Sequence, residues 1–524
     1  MDILNKLFFF LLTIYYIPLY AQNIGNFTSV EPLPQSTDFV IPSTHVFQRI
    51  IEEGDSLTEG GLLPGNNDFT GYVPINNSSE LGYLSINSEL IPGGVSILDI
   101  NFNQNTKLWE TTLSKTIDFD NVAGTARNCS GTVTPWNTII SCEETISNAD
   151  KNNDNRNDLG WCVEIDPINK TVIDKRWALG NFQHENIVVH NNERTVYEGA
   201  DSNPGYLYKF VSTNAQDLSS GNLYVYKGSK SGPGNWILIA NNTPSEQNST
   251  LTQSANVGAT VFNGIEDVEI GPDGLIYFAV KGENRVYRFQ DSHPITGDTI
   301  LKMETYVGNT TYNIEHKNGT SIVDWGYGND NLAFDGDSNL WVLQDGGNDY
   351  IWVVEKGHTQ VNPKVKIFGR TPSGSEPTGI TFSPDYRFLF MSIQHPSDTN
   401  DITSQIDAAG DTVNFDHDIS MVIALKENLG NASPPTSTHE TNIEKQVSYY
   451  PNPINEKLSI SFKKPLCDTR ISVFHINGEL VLSKNILSAN NNVEVDLSKE
   501  PSGIYLIDIK SENETIEIFR IIKR

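Results

Sequence analysis

Carboxylates recur where strands would begin or end. They are Glu185 in Gln183-His184-Glu185-Asn186, Asp201 in Tyr197-Glu-Gly-Ala-Asp201, Glu266 and Asp267 after Gly264-Ile265, Asp330 in Gly328-Asn329-Asp330-Asn331-Leu332, and Glu376 ahead of Pro377-Thr378-Gly379. Any one of them alone reads as a solvated turn residue or a cap. Aimed at a common point they would repel one another unless hard cations sat between them, so their convergence implies a metal centre with calcium as its natural occupant. A softer ligand is offered by Thr138-Ile-Ile-Ser-Cys142-Glu143-Glu144. At a strand end, side chains two apart share a face, so Cys142 and Glu144 are expected to point the same way.

Such residues need elements that bring distant loops together. Between residues 22 and 430 the chain repeats a Gly- or Asp-rich turn, an alternating strand, a second turn and a second strand. Examples are Pro272-Asp273-Gly274 before Leu275-Ile-Tyr-Phe-Ala-Val, and Asp335-Gly336-Asp337 before Leu340-Trp-Val-Leu. Related units begin near Gly82, Trp136, Thr195 and Thr381, at irregular spacings of about 50–80 residues, as expected of a repeat with inserted loops. Roughly six units predict an all-β fold, a six-bladed β-propeller whose loops converge on a central channel. A sandwich or jelly roll would leave the recurring unit unexplained.

The charge balance narrows the partners. The 524 residues carry 36 Lys plus Arg against 65 Asp plus Glu, a formal net charge of -29. That is far from the basic surface that phosphate-backbone binding needs, so nucleic acid is not expected as a partner. The opening MDILNKLFFFLLTIYYIPLYAQ has an early Lys6, an apolar core from Leu7 to Ile17 and Ala21 at a cleavage position. It reads as a secretory signal over residues 1–21, because the apolar run breaks at Pro18, short of a membrane span. No transmembrane segment is expected in the mature chain.

After a polar, Pro- and Ser-rich linker over 431–446 the pattern changes to short alternating strands. Leu458-Ser-Ile-Ser-Phe, Ile471-Ser-Val-Phe-His-Ile, Asn477-Gly478 leading into Leu480-Val-Leu, Val493-Glu-Val-Asp-Leu and Ile504-Tyr-Leu-Ile-Asp-Ile predict a small β-sandwich over 447–524. Tyr450-Pro451-Asn452-Pro453, Ile476-Asn477-Gly478, Gly503-Ile504-Tyr505 and the terminal Lys523-Arg524 resemble, in order and spacing, the C-terminal sorting domain of the type IX secretion system of Bacteroidetes. The resemblance implies type IX machinery as a partner, export across the outer membrane, and a protein released or held at the cell surface.

The larger part resembles the PhoX family of calcium-dependent alkaline phosphatases. The segments that carry the likeness are Asn66-Asn67-Asp68-Phe69, Arg127-Asn128-Cys129-Ser130-Gly131, Thr134-Pro135-Trp136-Asn137-Thr138, Cys142-Glu143-Glu144, Leu179 to Glu185, Asp330 to Asp335 and Thr378 to Pro396. The resemblance implies a site in which two iron and three calcium ions share an oxo bridge. It matches Cys142 to an iron ligand and Glu144, Glu266, Asp330 and Glu376 to acidic ligand positions, with Glu185 and Asp201 as further ligands. It also gives Asn66 or Asn67 a hydrogen bond to a phosphate oxygen. Clustered cations of this kind would let an acidic protein receive a phosphate ester, polarising the phosphoryl oxygens and activating an oxygen nucleophile.

Two positions depart from the family. A lysine usually precedes the His-Glu pair and an arginine stands two residues before the later ligand Glu, where this chain has Gln183 and Gly264. Charge-assisted contacts to a transition state are each worth several kcal/mol, roughly a hundredfold in rate, so another loop would have to supply Lys281, Arg285 or Arg370.

Cysteine usage adds an alternative reading. In an exported chain, Cys129, Cys142, Cys162 and Cys467 read first as disulfide partners, Cys129 with Cys142 or Cys142 with Cys162. Asp150-Lys-Asn152-Asn-Asp154-Asn-Arg156-Asn-Asp158 looks like a calcium loop, but Arg156 and the missing Gly and Glu break the pattern and favour a solvated polar loop. His184 and His395 are ambiguous as ligands or proton donors. The reading is a secreted, monomeric phosphatase working on small phosphate esters with Ca2+ and Fe3+. A phosphodiesterase, a calcium-braced binding propeller and a lactonase-like hydrolase are its alternatives.

Overall fold

The computed structural model describes residues 24–430, 447–466, 469–475, 480–486, 490–511 and 514–524. The expected signal (1–21), the expected linker (431–446), Cys467 and the Asn477-Gly478 pair expected to turn lie outside the described residues. The chain divides into two compact units, Met1–Ala432 and Ser433–Arg524.

The larger unit is built from antiparallel meanders. Asn67–Pro74, Leu81–Ser88, Gly94–Asn103 and Leu108–Thr116 form one four-stranded sheet, and Asn128–Val133, Ile139–Glu143, Cys162–Asp166 and Thr171–Lys175 form the next. A nine-stranded sheet runs from His184–Val189 out to Gly234–Ile239, crosses to Thr299–Gly308, and returns inward to Ile265–Ile270. The crossing is short, resting on Gly234 against Ile300 and Asn235 against Thr299. Asn329–Phe334 begins another four-stranded sheet. In the last one, Glu376–Phe382, Leu389–Gln394 and Ile419–Leu425 are joined by the early strand His45–Glu52. His45 pairs with Leu425, so the two ends of the unit are tied by backbone hydrogen bonds.

Burial follows position within each sheet. Inner strands such as Ile276–Val280 and Leu340–Gln344 are buried at every residue, because neighbouring sheets cover both faces. Outer strands such as Leu108–Thr116 bury few residues, here only Trp109 and Ser114. The cores are therefore layers between adjacent sheets, one of them gathering Phe27, Trp341, Phe368 and Met391. Among the described residues the α-helices are two short ones, Pro244–Gln247 and Thr250–Asn256.

The smaller unit has a three-stranded sheet, Val447–Tyr450, Lys457–Leu466 and Asn490–Asp496, and a four-stranded one made of Leu480–Ile486, Thr469–His475, Gly503–Ser511 and Glu514–Lys523. Leu458, Ile460, Ile471, Val473, Val495 and Ile507 form its core. These are the alternating apolar positions of the sequence. Asn452 of the Tyr-Pro-Asn-Pro motif donates to Arg520 O at 3.0 Å and accepts from Ile522 N at 2.9 Å, which fastens the last strand.

Candidate metal centre

Five of the strands that begin a meander carry the same irregularity, whereas Glu376–Phe382 slips by one residue between Thr378 and Ile380. Register slips between Asn67 and Thr70, Asn128 and Gly131, His184 and Ile187, Ile265 and Val268, and Asn329 and Leu332. Each of the five leaves two residues outside the ladder, so a bulge re-aims a pair of side chains near the start of each of these strands. The first residues of these pairs are Asp68, Cys129, Glu185, Glu266 and Asp330. The second are Phe69, Ser130, Asn186, Asp267 and Asn331.

The first set converges. Cys129 Sγ lies 3.0 Å from Asp68 Oδ2 and 2.9 Å from Glu185 Oε1. Ligand atoms of Glu185, Glu266 and Asp330 all lie within 4.8 Å of one another, and the same holds for Glu144, Glu185 and Asp201 and for Glu89, Cys129 and Glu144. Glu376 stands at the margin, with Oε1 3.9 Å from His395 Nε2. Burial, then mutual repulsion, pushes these acids up. Asp68 reaches about 7 and Glu144 about 9, while Glu185, Glu266, Asp330 and Glu376 rise well above the ordinary carboxylate range. Burial and the flanking Asp68 and Glu185 raise the Cys129 thiol as well. Asp68 Oδ1 and Glu266 Oε1 are buried without a hydrogen-bond partner.

The second set closes the opposite side of the ring. Asn186 Nδ2 donates to Asp267, Leu332 N donates to Asp267 Oδ2 at 2.6 Å, and Gly379 N donates to Asn331 Oδ1 at 2.6 Å. These bonds stitch first strand to first strand, and below them a cavity of ≈ 350 Å³ is lined by Ser130, Asn186, Asp267 and Asn331.

Of the residues expected from sequence, Glu144, Glu185, Asp201, Glu266 and Asp330 are brought together, with Glu376 beside them. Cys142 is not. The strand Ile139–Glu143 ends one residue before Glu144, whose N–H bonds instead to Arg127 O at 2.9 Å, so the two-residue alternation does not extend to it. Cys142 is packed among Ile140, Cys162, Leu179 and Ile187. Cys129 holds the place by the carboxylates. Its signal was present in Arg127-Asn128-Cys129, where an odd thiol precedes Ser-Gly at the start of a strand. Neither expected disulfide forms. Cys129, Cys142 and Cys162 are free thiols, and the Sγ atoms of Cys142 and Cys162 are 3.9 Å apart.

Asn66 is half-buried and donates to Glu89 O at 3.2 Å, whereas Asn67 is 0 % exposed with neither amide atom bonded. Among the three alternative cations, Lys281 is at the site. Burial opposes its charge, but Glu266, Asp330 and Asp345 hold it raised, and it is paired with Asp345. Arg285 donates to Glu283 O and Thr305 Oγ1, and Arg370 is buried in another strand. Sequence reasoning missed Arg127 as a cation. Its Nη1 lies 2.7 Å from Glu89 Oε1 and 3.8 Å from Glu144 Oε2. Gln183 Nε2 reaches only Glu144 O, at 3.5 Å. Gly264 has φ +75°, and a Cβ there would sit 2.7 Å from Asp201 Oδ1. A larger residue is therefore strained as well as crowded in this chain. In the Asp150 to Asp158 loop, Asp150 accepts from Asp154 N at 3.0 Å and Asn155 N at 3.1 Å, so its oxygens serve the loop's own backbone.

A ring of buried carboxylates around one thiol, held on bulges of an all-β scaffold, is the donor set of a metal-binding protein. The alkaline phosphatase PhoX family matches residues 103–397, and this chain belongs to that family. It is thus a phosphoric ester hydrolase. Residues 448–524 match the secretion system C-terminal sorting domain, which directs type IX secretion to the cell surface or beyond. The fold is similar to that of Pseudomonas fluorescens PhoX in complex with vanadate, at 21 % identity and a TM-score of 0.60, covering 77 % of this chain and 99 % of that one. Virginiamycin B lyase from Staphylococcus aureus (12 % identity, 72 % of this chain and 99 % of that one, TM-score 0.36) is a more distant likeness. No curated protein sequence matches. Among the described residues no helix is long and apolar enough to cross a membrane.

Proposed function

We propose that the chain hydrolyses phosphate monoesters at a centre of Ca2+ and Fe3+ held by Cys129 and by Asp68, Glu89, Glu144, Glu185, Asp201, Glu266 and Asp330, with Glu376 at its edge. One observation carries the reading: a buried thiol stands 3.0 and 2.9 Å from two carboxylates inside a ring of further acids. The donors fit the ions. Orphaned carboxylate oxygens such as Asp68 Oδ1 and Glu266 Oε1 suit hard cations, and the single thiolate suits iron.

Bound there, the cations supply the positive charge and Lewis acidity that phosphoryl transfer to water requires. The chain supplies the rest. Arg127 and Lys281 place fixed cations beside the acids, where Gln183 and Gly264 provide none, and draw an anionic ester in. Asn66, which is not sealed from solvent, takes the part of hydrogen-bond donor to a phosphate oxygen, and Asn67 stays inside.

The scaffold reading is a six-bladed propeller. The nine-stranded sheet then counts as two blades joined at their outer edges by the Gly234 and Asn235 pairing, and the strand His45–Glu52 completes the last blade. Residues 1–21 are read as the signal, 22–430 as the catalytic unit, 431–446 as the linker and 447–524 as the sorting domain of a monomer.

The test is p-nitrophenyl phosphate hydrolysis at alkaline pH by the chain loaded with calcium and iron, beside bis(p-nitrophenyl) phosphate and a chelated control. Turnover of the monoester, lost on chelation, is expected. Preference for the diester would move the assignment to diesterase, and no turnover by the folded, loaded protein would overturn it.

A further inference from the structure

A second constellation lies on the opposite side of the strand that carries Glu185. Ligand atoms of Cys162, His184 and Glu198 lie within 4.8 Å of one another, and all three residues are 0 % exposed. Cys162 Sγ is 3.3 Å from His184 Nδ1, and His184 Nδ1 is 3.4 Å from Glu198 Oε2. With metal–ligand bonds of about 2.0–2.3 Å, the edges of a tetrahedron around zinc run about 3.3–3.8 Å. Both distances match an edge.

The histidine is set up as a ligand. Its Nε2 lies 3.0 Å from Gly180 O, which makes Nε2 the protonated nitrogen and leaves the Nδ1 lone pair facing Cys162 and Glu198. This is the outer-shell arrangement that orients metal-bound imidazoles. The ring is held in place by Phe182, stacked at 3.7 Å between centroids.

Glu198 gives the independent observation. The side chain is wholly buried, Oε1 has no partner, and Oε2 meets only the His184 Nδ1 at 3.4 Å. A charged His184–Glu198 pair does not account for this, because 3.4 Å is long for a charge-assisted bond of about 2.7–2.9 Å and the Cys162 thiol faces the same Nδ1. A buried carboxylate with one oxygen unpartnered and the other in a single long contact is costly unless neutralised or metal-bound.

The geometry points to a separate site for a zinc-class divalent cation, bound by Cys162 Sγ, His184 Nδ1 and a Glu198 oxygen, with Cys142 as the nearest thiol for a fourth position. Cys142 Sγ is 3.9 Å from Cys162 Sγ, across paired strands. Sulfur, imidazole and carboxylate are the ligand types zinc takes, and Cys162 surrenders its proton on binding. Cys162 belongs to one sheet, and His184 and Glu198 to the next, so the ion would clamp two sheets at the root of the Glu185 bulge.

The proposal does not depend on the phosphatase reading. Zinc content of the full-length protein, made with zinc supplied and dialysed, is compared with Cys162→Ser and Glu198→Gln, alongside zinc-edge absorption of the unaltered protein and a non-reduced peptide map. One zinc per chain with mixed sulfur and nitrogen or oxygen ligands, lost in Cys162→Ser and reduced in Glu198→Gln, is expected. Absence of zinc from the unaltered protein, zinc retained fully in both variants, or a Cys142–Cys162 disulfide in the map would each overturn it.

Discussion

Cys129 Sγ lies 2.9 Å from Glu185 Oε1, although the two residues belong to different sheets. The contact exists because each residue is the first of a bulged pair, so both side chains leave their ladders near the start of their strands. The bulge therefore builds the site, and the strand alternation on either side of it builds the core.

From this follows a contrast between two cysteines. Cys129→Ala removes the one thiol among the acids and is expected to abolish iron binding and cut phosphomonoesterase kcat by about a hundredfold or more. Cys142→Ala removes a buried thiol in an apolar layer and is expected to keep the iron while lowering Tm by a few degrees. Iron content and melting temperature of the two variants check this. Iron retained in the Cys129 variant would sink the ligand assignment.

Metal removal gives a pH signature. Without cations, Asp68 titrates at about 7 and Glu144 at about 9 in the folded chain, above their ordinary carboxylate values. The folded state then holds more protons than the unfolded one. Its stability from these groups is full below the ordinary carboxylate pKa, about 4, and is lost as pH rises through 7 and 9. Chelated protein is expected to melt progressively lower between pH 5 and 9, and calcium is expected to flatten that slope. A chelated profile no steeper than the calcium-loaded one would contradict the repulsion.

Much of this arrangement was legible in the sequence, for a physical reason. Period-two alternation and Asp-Gly turns report which residues are strands, so Leu340–Gln344 and Leu458 to Phe462 fall where they were expected. Recurrent acids at strand starts reported Glu185, Glu266 and Asp330, because a buried ring of like charges is too costly to arise without use. A bulge leaves no comparable mark. Alternation extrapolated from Cys142 to Glu144 failed at the strand's last residue, and Cys142-Glu143-Glu144 divides into three roles. Cys142 packs, Glu144 faces the acids, and Glu143 accepts from Thr125 Oγ1, Gly160 N and Trp161 N at 2.9, 2.9 and 3.1 Å. Lys281 also needed the fold, since only the return of Ile276–Val280 toward Ile265–Ile270 brings it to Glu266.

Glu143 also forms an ion pair with Lys175 at 2.8 Å, both side chains 0 % exposed. Burial raises the Glu143 carboxyl and Lys175 opposes the rise. Lys175→Met strands a buried acid that already serves three donors, and is expected to destabilise the large unit by about 3–5 kcal/mol. Pairing it with Glu143→Gln should recover part of the loss. Denaturant unfolding of the single and double variants measures the coupling, and additive effects would show that the pair is not a unit.

Lys281 is the most direct test of how this chain manages without the two family cations. Its ammonium is held charged by Glu266, Asp330 and Asp345, so it remains a cation across the alkaline range. If it attracts and orients the anionic ester, Lys281→Met is expected to lower kcat/KM by about ten- to a hundredfold, with the loss shrinking as ionic strength rises. Lys281→Arg should retain a large part of the activity. A merely structural lysine would instead lower Tm and leave the salt dependence of kcat/KM unchanged, so steady-state kinetics at two salt concentrations separate the two roles.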